Sequence, residues 1–296
     1  MEIYKKFAKR KEPLARMLER CDDYRVLRKV PEHYSNMPDT GEPPEGFCLA
    51  LVDLETTSIS PDDGHIIELA LMMVWFTDDG KVCGHFGPLS WLEDPGVCIP
   101  PEITMITGLA AQHLVGHSIP DASVEGMLSR ADLLVAHHAC FEIAWLEKRY
   151  PDLAGKAWAC SMKDVDWLKA GCDGRAQQHL LSQHGWFSNA HRAGDDVWSL
   201  FIMMQEKRRG WERKRRTHFQ RLLEAANRVT TLVKAKGAAY AKKEILRARG
   251  YRWDADERVW QKELDHADVA HEQAWFFRNG LPAPALGAVS AYERHR

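Results

Sequence analysis

The run Phe47 to Leu54 (FCLALVDL) is almost wholly apolar, yet it contains Asp53 and is followed at once by Glu55. Eight residues is strand length, and an apolar stretch of that length suits a strand covered on both faces. A chain that must cover both faces needs more strands beside this one and helices above and below it, which points to a mixed-sheet α/β fold. The same segment constrains chemistry. Residues two apart on a strand project to one face, so Asp53 and Glu55 present paired carboxylates where an uncompensated charge is costly. A shared divalent cation offsets that cost.

The flanking sequence supplies the other elements. Ile66 to Phe76 and Lys81 to Trp91 read as strands joined by Thr-Asp-Asp-Gly at 77–80, a hairpin turn. Asp132 to Ala136 reads as a short strand, and segments around 140–150 and 191–207 are patterned as helices. A boundary is expected near 46, because residues 31–46 hold four prolines and two glycines, the composition of a linker. Upstream, residues 1–30 carry ten Lys/Arg against five Asp/Glu, with Phe7, Leu14, Met17 and Leu18 at helical spacing. The expected organisation is a basic N-terminal helical segment and linker (1–45), an α/β domain (46–207), a basic helical segment interrupted at Gly210 and Gly237 (208–249), and a small C-terminal α+β unit (250–296). In that last unit Gly250 to Leu264 reads as a hairpin and Ala267 to Asn279 as a helix.

The net charge of −2 conceals a segregation, with 9 Lys/Arg against 21 Asp/Glu in residues 46–204 and 16 against 4 in residues 205–252. The basic stretch, with Trp211, Tyr240, Tyr251 and Trp253 in or beside it, is expected to contact nucleic acid or to neutralise the acidic domain. No apolar run reaches the ~18 residues of a membrane span and the N-terminus lacks a signal-like apolar core, so a cytoplasmic protein without membrane contact is expected. Seven cysteines without a C-x-x-C pair suggest neither a disulfide framework nor a thiolate zinc site.

Three blocks carry chemistry. The first is Val52-Asp53-Leu54-Glu55-Thr56-Thr57; the second is Ala136-His137-His138-Ala139-Cys140-Phe141-Glu142, opening a helix after a strand. The third is His191-Arg192-Ala193-Gly194-Asp195-Asp196, where a five-residue separation places His191 in the loop before the helix that carries Asp196. Acids and a histidine at the ends of successive elements can form a metal-dependent hydrolytic site. In this order the blocks resemble the three motifs of the DEDD exonuclease superfamily, in its histidine-bearing branch, which includes the proofreading epsilon subunit of bacterial replicative polymerases. The resemblance extends to His65-Ile-Ile-Glu68, to Ile99-Pro-Pro-Glu102 through Thr107-Gly108, and to Trp158-Ala-Cys-Ser161. The flanks, Tyr24 to Arg28 and Arg249 to Trp253 with Trp260, are similar to those of bacterial epsilon-like exonucleases.

The resemblance implies a ribonuclease-H-like mixed β-sheet with flanking α-helices and 3′-to-5′ removal of nucleotides by two Mg²⁺ or Mn²⁺ ions. It implies Asp53, Glu55, Asp196 and Glu142 as metal residues, His191 as general base, and Thr56, Thr57 and His138 at the terminal nucleotide. DNA is the expected substrate, with a polymerase or repair partner in trans. The alternatives are an exoribonuclease or a catalytically weakened binding or docking protein. The chain departs from the family in having His138 for Asn and Glu142 for Asp. His137 and His138 are expected to form a hydrogen-bonded structural pair, and His113, His117, His179 and His184 receive no role.

Overall fold

The computed structural model describes residues 11–38, 42–207 and 215–296. Expectations that rest on Lys5, Lys6, Phe7, Lys9, Arg10, Gly210 and Trp211 lie outside the described residues. In chain order the elements are α1 (Lys11–Leu18), β1 (Arg28–Lys29), β2 (Phe47–Thr56), β3 (Ile66–Phe76), β4 (Val82–Leu92), α2 (Pro101–Thr107), α3 (Ala111–Leu114), α4 (Asp121–Arg130), β5 (Leu133–Ala136), α5 (Ala139–Arg149), β6 (Trp158–Cys160) and α6 (Ser161–Asp164). They continue with α7 (Gln177–Gln183), β7 (Trp186–Phe187), α8 (Ala193–Gln205), α9 (His218–Ala226), β8 (Thr230–Lys234), α10 (Lys243–Ala248), β9 (Arg252–Asp254), β10 (Val259–Asp265), α11 (Val269–Arg278) and β11 (Ala285–Val289).

Strand β2 lies in the middle of a five-stranded sheet of order β4-β3-β2-β5-β6. It pairs antiparallel with β3 and parallel with β5, β4 is antiparallel to β3, and β6 is parallel to β5. This is the expected ribonuclease-H-like mixed sheet. The turn at 77–80 closes as a hairpin, with the Gly80 N–H donating to the Thr77 carbonyl at 2.8 Å.

Alternation along β2 divides the core. Leu49 and Leu51 face a cluster that contains Val197, Trp198 and Phe201 of α8. Ala50, Val52 and Leu54 face the opposite cluster, with Val124 and Leu128 of α4 and Ile143 and Leu146 of α5. Each such fully buried aliphatic side chain contributes at most about 1.5–3 kcal/mol. The two layers fix α5 and α8 on opposite faces of the sheet, and both helices begin beside the end of β2 where the acids stand.

Two boundaries differ from expectation. The Pro-rich segment is no free linker, since Met37 packs on one core cluster and Val30, just before the segment, on the other. The Trp198 indole donates to the Pro31 carbonyl at 2.8 Å, and β1 pairs with β7. Proline composition signals the absence of helix, and an extended strap bonded through side chains and isolated bridges satisfies it equally well. Among the described residues the basic stretch is no run of helices either. Its first described element, α9, is capped by reciprocal bonds between Thr217 and Gln220 and buries Phe219 and Leu222 in the α8 cluster. Its second part, β8, is an inner strand of a four-stranded antiparallel sheet of order β11-β8-β10-β9. Residues beyond β11 return to the first sheet, where the Trp158 N–H donates to the Ala291 carbonyl at 2.8 Å and His295 meets Asp164 at 2.8 Å. Among the described residues no helix is long and apolar enough to cross a membrane.

Candidate active site

The C-terminal part of β2 supplies Asp53 and Glu55, and the first turn of α8 supplies Asp196. Carboxylate oxygens of the three lie within 4.8 Å of one another. Glu142, in the first turn of α5, is buried, and its Oε2 has no hydrogen-bond partner. It stands outside that close trio, and its charge acts on Asp53.

The electrostatics are those of crowded acids. Burial, then the charges of Asp196, Glu142 and Glu55, push the Asp53 carboxyl well above its usual range. Burial, then Asp196 and Glu68, push Glu55 up to about 8, and burial pushes Glu142 up to about 8. Burial also raises Asp196, against the bonds it accepts from the backbone near His191. An all-oxygen donor set of mutually repelling carboxylates, with a buried orphan oxygen beside it, fits hard divalent cations such as Mg²⁺ or Mn²⁺.

His191 is exposed and adopts a left-handed φ of 65°. That uncommon conformation turns its N–H back onto Asp196 Oδ2 at 2.7 Å. The loop before α8 is clamped by a residue the sequence reading left without a role. Glu68, directly across the β2–β3 ladder from Glu55, accepts from Arg192 at 2.9 and 3.2 Å, from the Ala193 N–H at 3.2 Å and from Ser90 Oγ at 2.6 Å. Gln177 and Gln178 of α7 were also missed. The Gln177 amide donates to the Asp196 carbonyl at 2.9 Å, and Gln178 donates to Asp196 Oδ1 at 3.3 Å. Glu68 lay inside a noted motif; nothing in the sequence marked the glutamines.

The remaining expected residues divide. Thr56 is buried, with its hydroxyl donating to the Ser58 carbonyl at 2.6 Å, and Thr57 Oγ1 accepts from the His65 N–H at 2.9 Å. Both hydroxyls therefore brace the loop between β2 and β3. His138 is exposed at the start of α5, its ring parallel to Phe141 with centroids 6.3 Å apart. It does not pair with His137, whose ring nitrogens bond Ser161 Oγ and the Arg175 carbonyl, each at 2.8 Å. The expected pair is corrected: two nearby acceptors and donors outcompete a second imidazole. Burial pushes His137 down to about 4.

No protein-family model matches the chain, and no curated protein matches it. Among solved structures it is similar to an exonuclease X in complex with 5′-overhanging duplex DNA, at 23% identity and a TM-score of 0.39, covering 51% of this chain and 86% of that one. It is also similar to an exonuclease I, at 15% identity and a TM-score of 0.47, covering 83% of this chain and 63% of that one. A zinc-bound E. coli exonuclease I with single-stranded DNA gives 14% identity and a TM-score of 0.46, with 84% and 64% covered. The chain thus spans less than two thirds of the exonuclease I chains.

Proposed function

We propose that the chain is a metal-dependent exonuclease that removes nucleotides from 3′ ends of DNA, related to the epsilon-like members of the histidine-bearing branch. The convergence of Asp53 and Glu55 of β2 with Asp196 of α8 to within 4.8 Å carries this reading. In it these three residues hold two Mg²⁺ or Mn²⁺ ions, and Glu142 supports the second. Bound ions supply Lewis acidity at the scissile phosphate and a nucleophile at neutral pH. His191 accepts the proton of the attacking water, a task suited to an exposed imidazole. Backbone at Thr56 and Thr57 positions the terminal nucleotide, and His138, stacked on Phe141, offers a ring face to it. A cytoplasmic location and a polymerase or repair partner in trans accompany this reading.

A second reading, a weakened nuclease retained for binding, is favoured by one observation: Glu142 lies outside the close trio. One experiment separates these readings. Single-stranded DNA, duplex DNA and RNA, each labelled at the 3′ end, are incubated with the protein and with Asp53→Asn, with and without Mg²⁺. Mg²⁺-dependent release of labelled mononucleotide from DNA by the wild type alone supports the proposal. Faster release from RNA changes the substrate, and binding without release favours the second reading. Release that Asp53→Asn leaves intact rules the site out.

A further inference from the structure

We propose that Cys172, His184 and His218 form a second metal site, one that takes a zinc-class divalent ion at the end of α7 opposite the carboxylates. Donor atoms of all three lie within 4.8 Å of one another. The two Nε2 atoms are 2.8 Å apart, and Cys172 and His218 are 2% and 0% exposed. A thiolate with two imidazoles is a borderline-soft set that prefers Zn²⁺ and its neighbours to Mg²⁺. The two candidate sites therefore select different ions.

His184 has the outer-shell partner typical of a metal-bound imidazole. His184 Nδ1 lies 2.7 Å from the Leu180 carbonyl. A carbonyl only accepts, so Nδ1 carries the proton and the Nε2 lone pair points at the cluster. The Cys172 backbone N–H donates to the Trp167 carbonyl at 2.8 Å, and the Trp167 ring packs on His218 with centroids 4.7 Å apart. Cys172 also lines an open cleft of about 720 Å³ together with Gly171, Asp173 and His179.

The protons balance. Without metal, His218 Nε2 donates its proton to His184 Nε2, and its Nδ1 accepts from Arg221 Nη1 at 3.3 Å. Loading sends the Cys172 thiol proton to solvent and moves the His218 proton to Nδ1. That ends the Arg221 contact, while the arginine keeps its 2.9 Å bond to the Arg216 carbonyl. About one proton leaves per ion. The bound ion would tie the turn before α7, the residue after α7 and the first residue of α9. The sequence does not announce it, because 172, 184 and 218 match no ligand spacing.

This proposal is independent of the nuclease reading. The test uses the full chain, stripped by chelator and kept in excess Mg²⁺ so that hard carboxylate sites are occupied. Co²⁺ titration should give a thiolate-to-metal charge-transfer band that saturates at one equivalent, with about one proton released, and Zn²⁺ should abolish the band and raise the unfolding temperature. Cys172→Ser and His184→Gln should each lose the band and the Zn²⁺-induced rise, while Cys98→Ser, an exposed thiol, and Asp53→Asn should keep both. Should Cys172→Ser fold poorly, His184→Gln carries the test alone. No thiolate band in the wild type, a band surviving in His184→Gln or Cys172→Ser, or an unfolding temperature indifferent to Zn²⁺ overturns the proposal.

Discussion

Glu55 and Glu142 hold their protons to about pH 8 in the folded chain against about 4.5 ordinarily. Between those values the folded state binds more protons than the unfolded chain, so this contribution to stability is whole at acid pH and is lost as pH rises to about 8. His137, pushed down from 6.5 to about 4, works the other way and adds stability as pH rises through that interval. The opposing effects overlap below pH 6.5, leaving about pH 6.5 to 8 as the clean window. There the unfolding temperature of the chelated protein should fall, Mg²⁺ should restore it, and Glu142→Gln should flatten the slope; a rising slope would contradict the crowded-acid description. For His191, general-base catalysis is typically worth about 10²- to 10⁴-fold. His191→Ala should lose that much rate together with the ascending limb of the pH–rate profile. A full-rate variant with an unchanged limb places the base elsewhere.

At the scale of elements, the start of α8 decides whether Asp196 reaches the β2 acids, and the Glu68 clamp holds it there. Arg192→Met leaves Glu68, whose side chain is 2% exposed, with Ser90 and the Ala193 N–H as its partners among the described residues. Losing a partner to a buried charge costs about 1–3 kcal/mol. The variant should melt earlier and lose turnover more than substrate affinity, a split that steady-state kinetics reads directly. This clamp also marks how far the sequence could be read. The alternation in β2, the turn at 77–80 and the three acid-bearing blocks were legible because strand and turn rules act over a few residues. Glu68 and Arg192 are 124 positions apart, and pairing across that distance is selected by tertiary packing. His137 was misassigned for the same reason: Ser161 and Arg175, 24 and 38 residues away, are invisible to local spacing. The proline strap was misread because composition reports backbone preference and says nothing of what the backbone lies against.

For the whole molecule, several described residues of the basic stretch pair with acids of the C-terminal unit: Lys234 with Glu257 at 2.5 Å, Arg249 with Glu272 at 3.0 Å and Arg228 with Asp265 at 3.1 Å. Those pairs do not neutralise the acidic half, and they leave Tyr240 81% and Trp253 52% exposed. Base stacking on such rings is worth about 1–3 kcal/mol per base. Trp253→Ala should therefore weaken single-stranded DNA binding by about 5- to 150-fold with little change in turnover, and equal affinity would remove this face from the substrate path. Deleting 208–296 is a harsher change than charge suggests. It strips Phe219 and Leu222 from the α8 cluster, at about 2–5 kcal/mol each, against a total stability of about 5–15 kcal/mol. The truncated chain should bind a hydrophobic dye and lose near-ultraviolet dichroism; a native-like spectrum would show that α9 is dispensable. The return of residues 291–296 to β6 and α5, where Arg296 reaches Glu147 at 2.7 Å, also has a meaning in time. Translation runs from the N-terminus, so a nascent chain that has reached residue 207 already holds every acid of the candidate site but neither α9 nor the clasp. The fold is thus fastened only after the ribosome has made what the clasp holds, and a chain stalled midway presents quality-control proteases with an unfastened sheet edge.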